Sequence, residues 1–189
     1  MRIEGLLFSY EIMPRDRGMF AFEEVNRFIE SAKGTIREVG EAEVVFNPEG
    51  VKGLILVDLR RAFSKLTDEE ADSRRRRIIS LLREAFDRGE LLSISRVRIL
   101  HKITRTNVAE IAECARIFVP YIKDRWKIEI HTKKLIDRME TIRAVAAHID
   151  QKVDLKNPRY ILHIEVIGPT ITVMYLVDSE NVEDTIIKL

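Results

Sequence analysis

The sequence has 189 residues, of which 46% are hydrophobic and 33% charged, enough for the core of one large domain or two small ones. It contains no run of eighteen apolar residues and no signal-peptide pattern, so we expect a soluble, cytoplasmic protein that makes no membrane contact. A single cysteine excludes an internal disulfide framework. The net charge is +1, but residues 95–177 hold 15 Lys and Arg against 9 Asp and Glu, and residues 178–189 hold 1 against 4. The positive charge therefore lies in the second half, ahead of an acidic tail.

The first half of the chain alternates between strand and helix patterns. Strands are predicted at 3–10, 44–46, 51–59 and 95–103, helices at 22–32 and 67–88, and turns at 14–18 (PRDRG) and 47–50 (NPEG). Thr67 and Glu70 have the spacing of a capping box at the start of the second helix. The order βαββαβ is that of a split-βαβ or ferredoxin-like unit.

The second half alternates in the same way and predicts a second unit. The predicted elements are a helix capped by Thr106, a strand over 126–130, a helix over 135–149, and strands over 160–167 and 171–177. Trp126 alternates with polar neighbours, so we expect its ring in the core. The sequence thus predicts an α+β protein with a ferredoxin-like domain at 1–103 and an α/β domain at 104–189.

Three stretches of the second half resemble the THUMP domain, the RNA-binding module of several tRNA modification systems. They are VRILHKITRTNVAEIAECA, WKIEIHTKK, and the KVDLKNPRY loop that leads into the strand ending in IEVIG. The resemblance implies an N-terminal ferredoxin-like partner domain and binding of the tRNA acceptor stem and 3′ end. The likeness to the stand-alone subfamily implies an adaptor that presents tRNA to a separate modification enzyme, such as a cytidine acetyltransferase.

Two basic segments are the predicted RNA contacts. Lys152, Lys156 and Arg159 lie in a loop that Pro158 stiffens, so part of the ordering cost of binding is met before RNA arrives. The second segment, at the start of the predicted helix over 135–149, holds Lys133, Lys134 and Arg138. The alternatives are that the lysines serve solubility, that Asp137 and Glu140 neutralise the second segment, and that Arg138 only covers apolar surface.

Four consecutive arginines, Arg74 to Arg77, form the densest charge cluster in the sequence. Acidic residues precede them, and the spacing of Glu70 with Arg74 and of Asp72 with Arg76 suits ion pairs between successive helical turns. This pattern predicts a solvated, salt-bridged helix face. The alternative is an auxiliary surface for RNA or a partner.

The remaining sequence predicts no chemistry of its own. The four histidines lack metal-ligand spacing, and the nucleotide-binding motifs G-x-G-x-x-G and G-x-x-x-x-G-K-[ST] are missing, so we expect no metal, no cofactor and no catalytic residues. Two alternatives stay open. One is an enzyme with a small-molecule pocket in the ferredoxin-like unit, and the other is a protein-interaction module that uses the acidic tail and the arginine run.

Overall fold

The computed structural model describes residues 1–12 and 17–188, which divide into two compact units. The first unit comprises residues 1–101 with the strand at 186–188, and the second comprises residues 102–185. The first unit contains β1 (Gly5–Tyr10), α1 (Arg17–Lys33), β2 (Glu43–Phe46), β3 (Leu54–Asp58), α2 (Asp68–Asp87) and β4 (Ile94–Leu100). The second contains β5 (Lys102–Thr104), α3 (Val108–Ala115), β6 (Trp126–His131), α4 (Arg138–Ala146), β7 (Tyr160–Val166) and β8 (Thr172–Asp178), after which β9 (Ile186–Lys188) returns to the first.

The first unit has the predicted βαββαβ order. Its sheet runs β2-β3-β1-β4-β9, so β3 lies between β1 and β2 in the split-βαβ arrangement. Phe8 on β1 belongs to one buried cluster with Phe28 of α1 and Leu82 of α2. Burying such a side chain stabilises the fold by about 1.5–3 kcal/mol. Of the turn predicted at 14–18, residues 14–16 lie outside the described residues, and Arg17 and Gly18 begin α1.

Two local predictions for the first unit are confirmed. Thr67 Oγ1 accepts a hydrogen bond from the Glu70 N–H at 3.2 Å, and the Glu70 carboxylate accepts one from the Thr67 N–H at 2.8 Å, which completes the capping box. At the predicted NPEG turn, β2 and β3 pair antiparallel with Phe46 opposite Ile55. Asn47 adopts a left-handed conformation there, and its side chain accepts a hydrogen bond from the Tyr10 hydroxyl at 2.5 Å.

Two predictions about strands need correction. The strand predicted at 95–103 is broken at His101, so that β4 joins the first sheet and β5 joins the second. The acidic tail was assigned to the second domain, but β9 pairs antiparallel with β4, and Ile187 adds its side chain to the first core. A three-residue strand is too short to show a reliable sequence pattern, and its partner lies about ninety positions away.

The second unit has a four-stranded sheet in the order β5-β8-β7-β6, and α3 packs against α4. Strand β6 is parallel to β7, as a strand–helix–strand connection requires. Trp126 is buried, as expected, and its indole N–H donates a hydrogen bond to the Gln151 carbonyl at 2.8 Å. Asn107, not Thr106, caps α3, because its side chain accepts a hydrogen bond from the Glu110 N–H.

The second predicted helix of this unit is shorter than expected. It begins at Arg138, so Leu135 lies before it, and Leu135 and Met139 are both exposed.

No helix within residues 1–12 and 17–188 is long and apolar enough to cross a membrane.

Candidate nucleic-acid interface

The six predicted RNA-binding residues lie at opposite ends of the β6–β7 pair. Trp126 is opposite Tyr160 where the two parallel strands begin, and His131 is opposite Glu165 near their ends. The loop 152–159 therefore lies where β7 begins, and the loop 132–137 lies where β6 ends. Strand β6 has six residues, and the five steps between its first and last residue, at about 3.3 Å each, separate the two ends by about 17 Å. The structure thus forms two basic clusters and not one.

The loop 152–159 is held rigidly against β6. The Lys152 carbonyl accepts a hydrogen bond from the Trp126 N–H at 3.1 Å, and the Asp154 N–H donates to the Trp126 carbonyl at 2.9 Å. The Asp154 carboxylate accepts hydrogen bonds from the N–H groups of Lys156 and Asn157. These backbone N–H donors, first that of Asn157, lower the pKa of Asp154. The side chains of Lys152 and Lys156 stay exposed on this rigid backbone.

Arg159 is placed differently from the two lysines of its loop. Its guanidinium forms ion pairs with the carboxylates of Asp178 and Glu180 and lies 5.7 Å from the centre of the Tyr160 ring. Hydrogen bonds to Asp178 and then to Glu180 raise the pKa of Arg159 above its ordinary value. Both carboxylates belong to the acidic tail, so the tail neutralises part of this basic cluster.

In the loop 132–137, the backbone separates the two lysines. Both have positive φ angles, 49° at Lys133 and 61° at Lys134, a left-handed conformation that is uncommon for residues other than glycine. Both lysines are exposed, but only the Lys133 ammonium donates a hydrogen bond to the Ile167 carbonyl, at 3.2 Å. Lys133 thus ties the loop to the chain beyond β7 and leaves Lys134 toward solvent.

Asp137 and Glu140 are the acidic residues nearest this basic cluster in the sequence. The Asp137 side chain caps α4 by accepting a hydrogen bond from the Glu140 N–H at 2.7 Å. Among the described residues, no ion pair joins Asp137 or Glu140 to Lys133, Lys134 or Arg138. The exposed charges of Lys134 and Arg138 are therefore available to a ligand.

The strands β5 and β6 end on the same side of the sheet, so the end that carries the loop 132–137 also holds residues that the sequence did not predict. Thr104 pairs with Thr172 at the start of β8, so the exposed Arg105 lies at the same end of the strands as the loop 132–137. Helices α3 and α4 both begin at this end of the strands. The N–H groups of a helix N-terminus favour anions. At the opposite end of the strands, Arg125 is a further basic residue that the sequence did not predict, and it pairs with Asp154 at 3.4 Å. The chain topology, applied to the predicted strands, is the signal that could have found both.

The arginine run of α2 forms ion pairs within the first unit. Arg75 and Arg76 pair with Asp72 at 3.0 and 2.7 Å, which includes the predicted pair of Asp72 and Arg76. Arg74 pairs with Glu38 and not with Glu70. The interpretation as a salt-bridged helix face therefore agrees with the structure.

A cleft of about 460 Å³ in the first unit bears on the small-molecule alternative. Its lining residues are Glu41, Ala42, Glu43, Asp58, Arg60 and Arg61. Arg60 donates hydrogen bonds to both oxygens of Asp58, at 2.6–3.1 Å, so these two charges satisfy each other. Two of the charged groups that line the cleft are thus already committed to an internal pair.

Among the histidines, His101 is buried and His163 is partly buried. His163 stacks on Tyr175 with ring centres 4.7 Å apart, and burial lowers its pKa. Burial and the positive charges of Arg75 and the N-terminus lower the pKa of His101 to about 3. Within the described parts of the chain, no three His, Cys, Asp or Glu side chains lie together where they could hold a metal ion.

Comparison with known proteins identifies the second unit. Residues 106–176 match the THUMP domain family, so this part of the chain is a THUMP domain. Both basic loops, 132–137 and 152–159, lie within these residues. The comparison with curated proteins gave no match.

Solved structures of similar fold include the following two. The structure of PH1313 from Pyrococcus horikoshii Ot3 is 13% identical, with a TM-score of 0.59 over 93% of this chain and 55% of its own. A 4-thiouridine synthetase, solved with RNA and bound ATP, is 14% identical, with a TM-score of 0.58 over 93% of this chain and 42% of its own. The chain therefore spans about half the length of these proteins. At such identity, the likeness concerns the fold alone.

Proposed function

We propose that the protein binds tRNA through its THUMP domain and contacts the acceptor stem and the 3′ end. The observation that supports this most directly is the THUMP match over residues 106–176. The exposed Lys134 and Arg138 lie within that domain, just after β6 ends and where α4 begins. Exposed lysine and arginine side chains are the usual protein contacts of nucleic-acid phosphates. A solved protein of similar fold was obtained in complex with RNA.

The two basic clusters suit recognition of RNA shape. Because they lie at opposite ends of a strand about 17 Å long, each cluster can contact a different phosphate of one bound RNA. Contacts of this kind carry little base information, because the deep major groove of A-form RNA does not admit side chains. We therefore propose that the shape of tRNA and its unpaired 3′ end, rather than its sequence, determine binding.

The first experiment is a salt-titrated binding isotherm for a whole tRNA and for the same tRNA lacking its unpaired 3′ nucleotides. Tighter binding of the intact tRNA is expected, with log affinity falling against log salt by roughly 0.7 to 0.9 per phosphate contact. Equal affinities would overturn the acceptor-end proposal and leave general polyanion binding. Absent or salt-insensitive binding would favour the protein-interaction alternative, in which the acidic tail and arginine run mediate assembly.

We further propose that the protein works in the cytoplasm as a non-catalytic adaptor, which presents tRNA to a separate modification enzyme such as a cytidine acetyltransferase. This proposal rests on the resemblance to the stand-alone THUMP subfamily. An adaptor raises the effective concentration of tRNA at its partner without changing the chemical step. Incubation with tRNA, ATP and an acetyl donor should therefore give no modified nucleoside by mass spectrometry. Turnover in that mixture would contradict the adaptor role.

A further inference from the structure

The ion pairs of Arg159 contain two carboxylates that are held very differently. Asp178 is a fixed partner. Its carboxylate accepts hydrogen bonds from the Glu180 N–H at 3.0 Å and from the Asn181 side chain at 3.1 Å. Arg159 Nε lies 2.7 Å from one Asp178 oxygen, and Nη2 donates to the other at 2.8 Å. Asp178 therefore sets the orientation of the guanidinium.

Glu180 is held only by the arginine. Its side chain is 70% exposed, against 27% for Asp178, and among the described residues it pairs with Arg159 Nη1 alone. The Glu180 carboxylate is well solvated when it leaves the arginine, and ion pairs of exposed carboxylates contribute little to stability. The Glu180 carboxylate can therefore leave the arginine at small cost.

The backbone around the arginine keeps its place whether or not Glu180 is bound. The Ser179 hydroxyl donates hydrogen bonds to the carbonyls of Pro158 and Arg159, and the Ser179 N–H donates to the Arg159 carbonyl at 2.9 Å. The Tyr160 ring lies beside the guanidinium. A second anion that replaced Glu180 would thus meet an arginine already oriented for it.

We propose that Glu180 occupies the position of an RNA phosphate on Arg159, and that tRNA displaces it on binding. The proposal rests on the tRNA-binding function proposed above and adds a competition within the chain. Carboxylate and phosphate oxygens accept the same guanidinium N–H donors, but a phosphodiester brings its charge with the rest of the RNA. Glu180 thereby weakens binding of any polyanion that does not also engage the lysines of the loop 152–159.

The test is tRNA affinity at low salt for the wild type and for Glu180→Gln. The variant removes the competing charge, so we expect about three- to tenfold tighter binding of a tRNA transcript. The matched control is Glu113→Gln, because Glu113 is also 70% exposed and also pairs with an arginine, Arg116. The control has the same net charge as Glu180→Gln and should stay within about twofold of the wild type.

A double-mutant cycle assigns the gain to Arg159. In an Arg159→Gln background, whose folding is checked by thermal unfolding, Glu180→Gln should no longer tighten binding. If that background does not fold, the comparison of Glu180→Gln with Glu113→Gln still decides. Equal gains in these two variants would show that net charge alone matters and would overturn the proposal. Wild-type binding that Glu180→Gln leaves unchanged would overturn the competition but not the tRNA-binding function, and no binding by any variant would overturn both.

Discussion

At the scale of single residues, Lys134 and Arg138 are the exposed cations on which the RNA proposal most depends. We expect the double variant Lys134→Gln/Arg138→Gln to weaken tRNA binding and to reduce the salt slope by about 1 to 2, because two phosphate contacts are lost. The measurement is the same salt-titrated isotherm. The control is Lys52→Gln/Lys65→Gln, which removes two exposed lysines from the first unit. An equal loss in the control would mean that only net charge was measured.

His101 is a buried residue whose titration should affect stability. Its pKa is about 3 in the folded protein and about 6.5 ordinarily, so below pH 6.5 the unfolded chain binds the additional proton. Stability should therefore fall as the pH falls below 6.5, by about 2 kcal/mol at pH 5 from this residue.

The experiment compares urea unfolding at pH 7 and pH 5. In His101→Gln, the loss of stability between the two pH values should be smaller than in the wild type by about that amount. His131→Gln is the control, because His131 is exposed. An unchanged pH dependence in His101→Gln would show that His101 remains neutral in the unfolded chain or charged in the folded one.

At the scale of secondary-structure elements, the capping box of α2 gives the clearest expectation. Thr67→Ala leaves the Glu70 N–H without its side-chain acceptor and should destabilise the protein by about 1 kcal/mol. Ser73→Ala, on the exposed face of the same helix, is the control and should be neutral or slightly stabilising, since alanine has the higher helix propensity. Thermal unfolding of the two variants measures the difference. Equal melting temperatures would contradict the capping role.

The same scale shows which parts of the fold the sequence can predict. Elements with local signals were predictable: the capping box at Thr67, the turn at Asn47 and the apolar spacing of α1. The break at His101 was not, because the alternation from Ser95 to Ile103 is local, whereas the sheet that a strand joins depends on distant partners. The helix expected from Leu135 failed for a related reason. Its apolar residue had helical spacing, but Lys133 and Lys134 turn the backbone away from the helix.

The predicted RNA contacts show a similar limit. Charge and family likeness selected six basic residues, but neither could reveal that they lie at two ends of one strand pair. Nor could they reveal that Asp178 and Glu180 contact Arg159, because that contact joins residues about twenty positions apart across β7 and β8. Arg105 was missed because nothing in its own neighbourhood distinguishes it. It becomes a candidate contact only in the structure, where β5 brings it to the same end of the sheet as the loop 132–137.

At the scale of the whole molecule, β9 contributes to the first core from the far end of the chain. Ile187→Ala removes a buried side chain and should destabilise the first unit by about 2–4 kcal/mol. Ile186→Ala is the matched control, because this neighbour points to the other face of the strand and is partly exposed, so a smaller loss is expected. Hydrogen exchange at β4 provides the readout. Equal protection of β4 in both variants would contradict a role of Ile187 in securing the sheet.

The return of the chain at β9 also has a consequence for synthesis on the ribosome. Residues 102–185 are translated between β4 and its outer neighbour, so the first sheet has an open edge at β4 until residues 186–188 have emerged. An open edge strand can pair with another nascent or unfolded chain. A pause in translation within the THUMP domain should therefore prolong the time during which the first unit is vulnerable to aggregation, even after its βαββαβ core has formed.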